Sequence, residues 1–235
     1  MKKILALALA SMFSLIGFSQ NYNLDSALTA INKEKDSTTL ALRKVKDSTY
    51  RAGLHSDSVR IDKDFTEKTR WAKMKASVIY PAIKGNEFSG VIPVKNPTFN
   101  PNPKIEYKLM FELYEGNPDS LAKEINFGLN EIARKINLHV ASGVPLKNIK
   151  IVVVGHGPIL YALCNNDYYK EHYKVDNPNL KLVNDLTALG AKFIACGQAI
   201  AFMDLKRDAL LPIVQVSLTA QTALSYYQMM GYLKY

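Results

Sequence analysis

Cysteine is scarce in this chain: 235 residues carry two, Cys164 and Cys196. So few exclude a disulfide scaffold, which small secreted domains build from several bridges. A single bridge between the two stays open at this level. No dinucleotide fingerprint follows the first expected strand, and phosphate-loop lysine and nucleophile-elbow serine motifs are also missing. A nucleotide-dependent enzyme is thereby disfavoured, and no cofactor is expected. His55, His139 and His172 lack ligand-like neighbours, and a metal site needs three or four convergent donors, so no metal is expected either. After residue 18 no apolar run approaches the roughly 20 residues of a membrane-spanning helix. Acidic residues are the minority, leaving a formal net charge of +9. The lysines and arginines are spread out rather than blocked together with aromatics, which argues against nucleic-acid binding and for a solvated basic surface.

The start of the chain has the form of a secretory leader. Met1-Lys2-Lys3 is followed by an apolar run from Ile4 to Phe18, broken by Ser11, Ser14 and Gly17. A basic start, a short apolar stretch and small residues before a cut define such leaders. Gly17 and Ser19 place the cut between Ser19 and Gln20, and no cysteine follows to anchor a lipid. The expectation is a periplasmic or secreted protein with no stable membrane insertion after cleavage; an uncleaved anchor helix is the alternative.

Residues 20–75 differ in texture from the rest. They are rich in Lys, Asp, Ser and Thr, lack proline, and carry the single glycine Gly53. Asp-Ser pairs recur at 25, 36, 47 and 57, and an eleven-residue period returns them to one helix face. A competing seven-residue seam joins Leu24, Leu28, Ile31, Leu42, Val45 and Val59, with Lys35, Thr38 and Thr49 interrupting it. Such a polar seam predicts a solvated or loosely associating helix rather than a stable coiled coil.

Residues 76–103 hold five prolines and read as a linker or irregular lead-in that contains the domain boundary. Tyr80, Phe88, Val91, Ile92 and Phe99 imply that part of it packs on something. From residue 104 strand and helix patterns alternate. Lys104–Tyr114 is strand-like, and Ser120–Val140 has helical apolar spacing with Asp119 as its expected cap. Residues 149–155 form a β-branched run suited to a strand buried on both faces. A helix over Asn177–Leu189 stops at Gly190, and Ala191–Ala195 is the next strand. Ile213–Val216, a helix over Thr219–Met230 and Gly231–Tyr235 complete five strands. Alternation of this kind predicts a doubly wound α/β sheet over 104–235.

Two strand exits carry the reactive side chains. Val154-Gly155-His156-Gly157-Pro158 ends the second strand, and Ala195-Cys196-Gly197-Gln198 ends the third. Parallel strands present their carboxyl ends on one edge, where ligands collect. A thiol at a helix start has its thiolate favoured, and a histidine on the same rim activates it for attack. Cys196 and His156 are therefore the candidate catalytic pair. Gly155, Gly157, Gly197 and Gln198 are candidate substrate contacts, with the Gly197 and Gln198 N–H groups facing the sulfur. The residues alone equally allow Cys196 as a small side chain filling a junction and His156 as a turn anchor. Cys164, within Leu160–Asn165, reads as a buried thiol inside a short helix.

The segments IVVVGHGP at 151–158, NPNL at 177–180, GAKFIACGQA at 190–199 and the closing QMMGYLKY resemble the DsrE/DsrF-like family, which includes sulfur-relay proteins. The resemblance covers about the last 130 residues. It implies a flavodoxin-like three-layer α/β/α sandwich with a mainly parallel five-stranded sheet, assembling as a homo-oligomer. It also implies that Cys196 carries persulfide sulfur between a thiol or persulfide donor and an acceptor protein. The leader and the polar extension depart from the cytoplasmic relay pattern. The rival expectation is a non-catalytic binding or oligomerisation module using the α/β domain and the N-terminal helix.

Overall fold

The computed structural model describes residues 23–43 and 51–235, with side chains placed for 23–40 and 59–235. The expected leader at 1–19 lies outside the described residues. Two compact units emerge, one ending at Ser77 and the other running from Val78 to Tyr235.

The first unit contains two helices, α1 (Leu24–Arg43) and α2 (Arg51–Ser77). Glu34 accepts a hydrogen bond from Lys68 at 2.9 Å and Lys35 pairs with Asp62 at 2.9 Å. Those pairings run in opposite senses along the two helices, so they lie antiparallel. Leu24, Leu28 and Ile31 are half-buried, as the seven-residue seam predicts, but Val59 is exposed. Leu42 and Val45 fall outside the described side chains. Phe65 and Ala72 supply the buried apolar positions of α2, and the Lys68 ammonium stands over the Phe65 ring. No helix among the described residues is long and apolar enough to cross a membrane.

The second unit is built on strands β1 (Tyr107–Leu113), β2 (Ile149–Gly155), β3 (Lys192–Cys196), β4 (Val214–Ser217) and β5 (Leu233–Lys234). They form one sheet in the order β4-β3-β2-β1-β5, and every pairing is parallel. Helices α3 (Phe127–Ala141), α4 (Asn166–Tyr173), α5 (Leu180–Ala188), α6 (Gly197–Phe202) and α7 (Ala220–Met229) connect and cover them. From β1 to β4 each strand is added on the same side of the last. Crossovers of constant hand then place their helices on one face. There Leu129, Ile132 and Ile136 of α3 and Leu182, Val183 and Leu186 of α5 pack on Leu109, Phe111, Ile151, Val153 and Phe193. The step from β4 to β5 reverses direction, so α7 crosses the opposite face, over Met110, Val152, Val154, Ile194 and Cys196. The result is a flavodoxin-like three-layer α/β fold whose second helical layer is a single helix. β1 and β2 bury their centres on both faces, which is why their apolar runs are continuous.

Two local expectations are corrected. Asp119 does not cap the long helix; it begins a one-turn 3-10 helix, Asp119–Leu121. Asn126 caps α3 instead, accepting from the Leu129 N–H at 3.3 Å while its own amide donates to the Glu115 carbonyl and to Asn117. The stretch before Cys164 is a 3-10 helix, Gly157–Leu163, so Cys164 follows it in an extended conformation and bridges to Leu210.

The boundary between the units falls inside the expected segment 76–103, and from Val78 onward that segment belongs to the α/β unit. Ile79 and Val91 form an antiparallel bridge, and Ile83, Ser89 and Val91 are buried. Asn137 of α3, fully buried, holds this segment: its carboxamide oxygen accepts from the Ala82 and Ile83 N–H groups at 2.9 and 3.1 Å. Its nitrogen donates to the Ile83 and Ser89 carbonyls at 2.7 and 2.8 Å. Prolines remove backbone donors but leave carbonyls and neighbouring amides to be satisfied, and a buried carboxamide meets that need. Asn137→Ala leaves these groups unpaired and is expected to destabilise the unit by about 3 kcal/mol. Urea unfolding would read that loss, with hydrogen-exchange protection lost first at Ala82 and Ile83; an unchanged midpoint would contradict the anchoring role.

Candidate functional site

The strand register puts the two predicted residues at neighbouring strand exits. Val154 pairs with Ile194 and Gly155 with Ala195, so His156 and Cys196 are the next positions along adjacent strands, about 5 Å apart in backbone spacing. Alternation places both on the α7 face, His156 after Val152 and Val154, and Cys196 after Ile194. Cys196 also pairs in register with Ser217 of β4. The chain leaves β3 into α6, whose Ile200 and Met203 pack on the α3 face, and leaves β4 toward α7 on the other. Two neighbouring strands whose exits diverge to opposite faces define the switch point where open α/β sheets bind ligands. Cys196 stands there as a free thiol, 6% exposed.

A third residue, absent from the sequence-level set, orients the histidine. Glu112, the second-last residue of β1, lies on the same face and accepts a hydrogen bond from Nε2 of His156 at 3.0 Å. The other carboxylate oxygen of Glu112 pairs with the ammonium of Lys234 on β5. The Lys234 hydrogen bond, helped by that from His156, holds the Glu112 carboxyl below its ordinary range against the opposing effect of burial. An ionised carboxylate only accepts, so Nε2 carries the proton and Nδ1 is the acceptor of the neutral ring. Tyr114 covers the imidazole at 5.2 Å between ring centroids. Gly157, at φ +68°, makes room for that tyrosine: a Cβ there would come within 2.5 Å of its ring.

The glycines and Gln198 have packing and backbone partners within the fold. A Cβ on Gly155 would press Ile159 at 3.3 Å, and one on Gly197 would meet the Ser217 carbonyl at 2.7 Å. Both positions admit close packing of the fold's own backbone and side chains rather than a ligand. The Gln198 N–H donates to the Leu218 carbonyl at 3.1 Å and is not free to face the sulfur. Two cavities open near the sheet, and neither is lined by Cys196 or His156. One of about 500 Å³ lies beyond β1, lined by Glu112, Tyr114, Glu115, Glu124 and Phe127. The other, about 270 Å³, lies beneath α7 beside Ile194, Gln215, Ser217 and Tyr227. Neither is lined by Gly155, Gly157, Gly197 or Gln198. Among the described residues no group of three or more His, Cys, Asp or Glu converges as a metal site would require.

Cys164 sits on the other side of the sheet, in the α3-side core, where its thiol donates to the Leu160 carbonyl at 3.3 Å. Burial pushes its pKa up to about 12. The two sulfurs occupy cores separated by the sheet and are both free, so the disulfide left open by the sequence does not form in this fold.

These features define an α/β protein with a His156–Glu112 pair and a free Cys196 at the carboxyl edge of its sheet. The DsrE/DsrF-like family model matches residues 108–234, and the chain belongs to that family. A solved structure of a protein of unknown function from Methanobacterium thermoautotrophicum is similar at 21% identity and a TM-score of 0.40, the match covering 55% of this chain and 98% of that one. No curated protein matches.

Two measurements follow from this geometry. Iodoacetamide applied to the folded protein near neutral pH is expected to modify the Cys196 peptide and spare Cys164, and denaturant should remove the difference. Early Cys164 labelling would contradict its burial. For Glu112, a folded pKa below the unfolded value means its ion pairs add stability above the unfolded carboxyl range, lost as pH falls through the folded pKa. The stability gap between wild type and Glu112→Gln should therefore be full above about pH 5 and close on acidification. A gap independent of pH would remove the ion pairs as its source.

Proposed function

We propose that this chain is a sulfur carrier that loads and releases sulfane sulfur at Cys196. Family membership points to a sulfur-relay-related role. The observation that carries the assignment to one residue is the in-register placement of Cys196 beside His156, on one face, with the imidazole held by an ionised Glu112. A nucleophile, a base and a group that orients the base are the parts that thiol activation needs. The Cys196 thiol gives its proton to Nδ1 of His156. The thiolate attacks the outer sulfur of a persulfide R–S–S–H, the S–S bond breaks, and R–S⁻ leaves with its electron pair and takes the proton from the imidazolium. The products are Cys196–S–S–H and R–SH, with no external oxidant or reductant consumed. An acceptor thiolate reverses the chemistry at the outer sulfur.

The leader-like residues 1–19 support an exported, periplasmic or secreted setting for this exchange. A second reading, a binding or assembly module, is favoured by the separate helical unit that ends at Ser77. It differs in requiring no chemistry at Cys196. The test is incubation with inorganic polysulfide followed by intact-mass and peptide analysis. One added sulfur is expected on Cys196 in wild type and in Cys164→Ser, and none in Cys196→Ser. His156→Ala is expected to slow loading by about 10²-fold, the scale of a lost general base. Equal loading of wild type and Cys196→Ser would overturn the assignment and favour the module.

A further inference from the structure

From the grip of β5 on β1 we infer that Lys234 is a positioning residue for the Cys196 site, acting through Glu112 and His156. This rests on the carrier reading for its chemistry, but its physical content stands on contacts alone.

β5 is short, and the register pairs only Leu233 with Leu109 and Lys234 with Met110. It nonetheless engages both faces of β1, because successive side chains point in opposite directions. On the α3 face Tyr235 stacks on Phe111 at 5.6 Å between ring centroids, with the Lys135 ammonium 4.6 Å from the tyrosine ring. The Tyr235 N–H donates to the Met110 carbonyl at 2.8 Å. That anchorage fixes Lys234 on the α7 face, where its ammonium meets one carboxylate oxygen of Glu112 while His156 meets the other. The carboxylate is thus held from both sides, by a cation from β5 and by the imidazole from the exit of β2.

Among the described residues no other cation takes the place of Lys234 at Glu112. Lys108 lies on the same face of β1, but its ammonium donates to the Met230 carbonyl at 3.0 Å and stands over the Tyr232 ring. Lys150 on β2 donates to the Lys147 carbonyl at 3.0 Å and faces Glu106. Without Lys234, Glu112 keeps one partner and the free oxygen turns to water. The carboxylate then has two rotameric options, and the His156 ring loses its single orientation. The edge strand most loosely held in the sheet therefore sets the geometry of a proton acceptor two strands away.

The experiment compares wild type, Lys234→Met and Lys234→Arg as full-length chains. Carbon NMR follows the Glu112 carboxyl through its titration, and nitrogen NMR reads the protonated nitrogen of His156. In Lys234→Met the Glu112 titration is expected to move up toward its ordinary range and the His156 signal to become a mixture of the two tautomers. Lys234→Arg should restore both. Polysulfide loading of Cys196 is expected to slow by about 10-fold in Lys234→Met, the scale seen when the partner that orients a functional histidine is removed, and to recover with arginine. An unchanged Glu112 titration and a single His156 tautomer in Lys234→Met would overturn the inference. If wild type fails to take up sulfur at all, the carrier reading fails, while the two NMR titrations still decide the role of Lys234.

Discussion

The handedness of the parallel crossover is the constraint on which this site depends. Right-handed β–α–β units that advance in one direction from β1 to β4 must place their helices on one face of the sheet. Only the return from β4 to β5 puts a helix, α7, on the other. That face is where Glu112, His156 and Cys196 project. Reversal of direction also makes the exits of β3 and β4 diverge, opening the sheet's carboxyl edge beside the thiol. Had β5 been added beyond β4, α7 would have joined the other helices and no such edge would exist.

The two cysteines show what that division does to one chemical group. Cys164 lies in the thicker core, among apolar side chains that oppose its ionisation. Cys196 lies at the rim, next in register to a histidine whose partner is an ionised carboxylate. Their chain separation reveals none of this, since both follow short apolar runs. A carboxylate partly withdrawn from water is costly unless paired, and Glu112 is accepted because a cation and an imidazole donor meet its two oxygens. The same pairing that makes the carboxylate tolerable gives the imidazole a defined tautomer, so a stability requirement and a chemical role share one set of contacts.

Buried asparagines do comparable work away from the rim. Asn126 caps α3 and draws the loop after β1 inward, while Asn177 holds the Ala162 and Cys164 carbonyls and accepts from Asn179. Asn137 fastens the proline-rich lead-in to α3. This is why residues 78–92 belong to the α/β unit although their composition reads as linker. Composition reports what a segment cannot do for itself. It is silent on a partner, here the carboxamides of Asn137 and Asn130 on a helix that begins more than thirty residues later.

Local pattern was sufficient for the strands and most helices. β-branched density marks β2, helical apolar spacing marks α3, and Gly190 and the Thr219 cap bound α5 and α7, because each signal acts within a few residues. The shared edge of His156 and Cys196 was also legible, since both follow strand ends and parallel strands end on one edge. Glu112 and Lys234 were not. Their roles depend on which strand neighbours β1 on each side and on the register of those pairings, which long-range packing alone decides. Parity along a strand tells which residues share a face, but only the strand order tells what that face meets. The sequence by itself determined the elements and the thiol–imidazole rim; the tertiary structure decided which charges complete it, because electrostatic partners are chosen by distance in space and not along the chain.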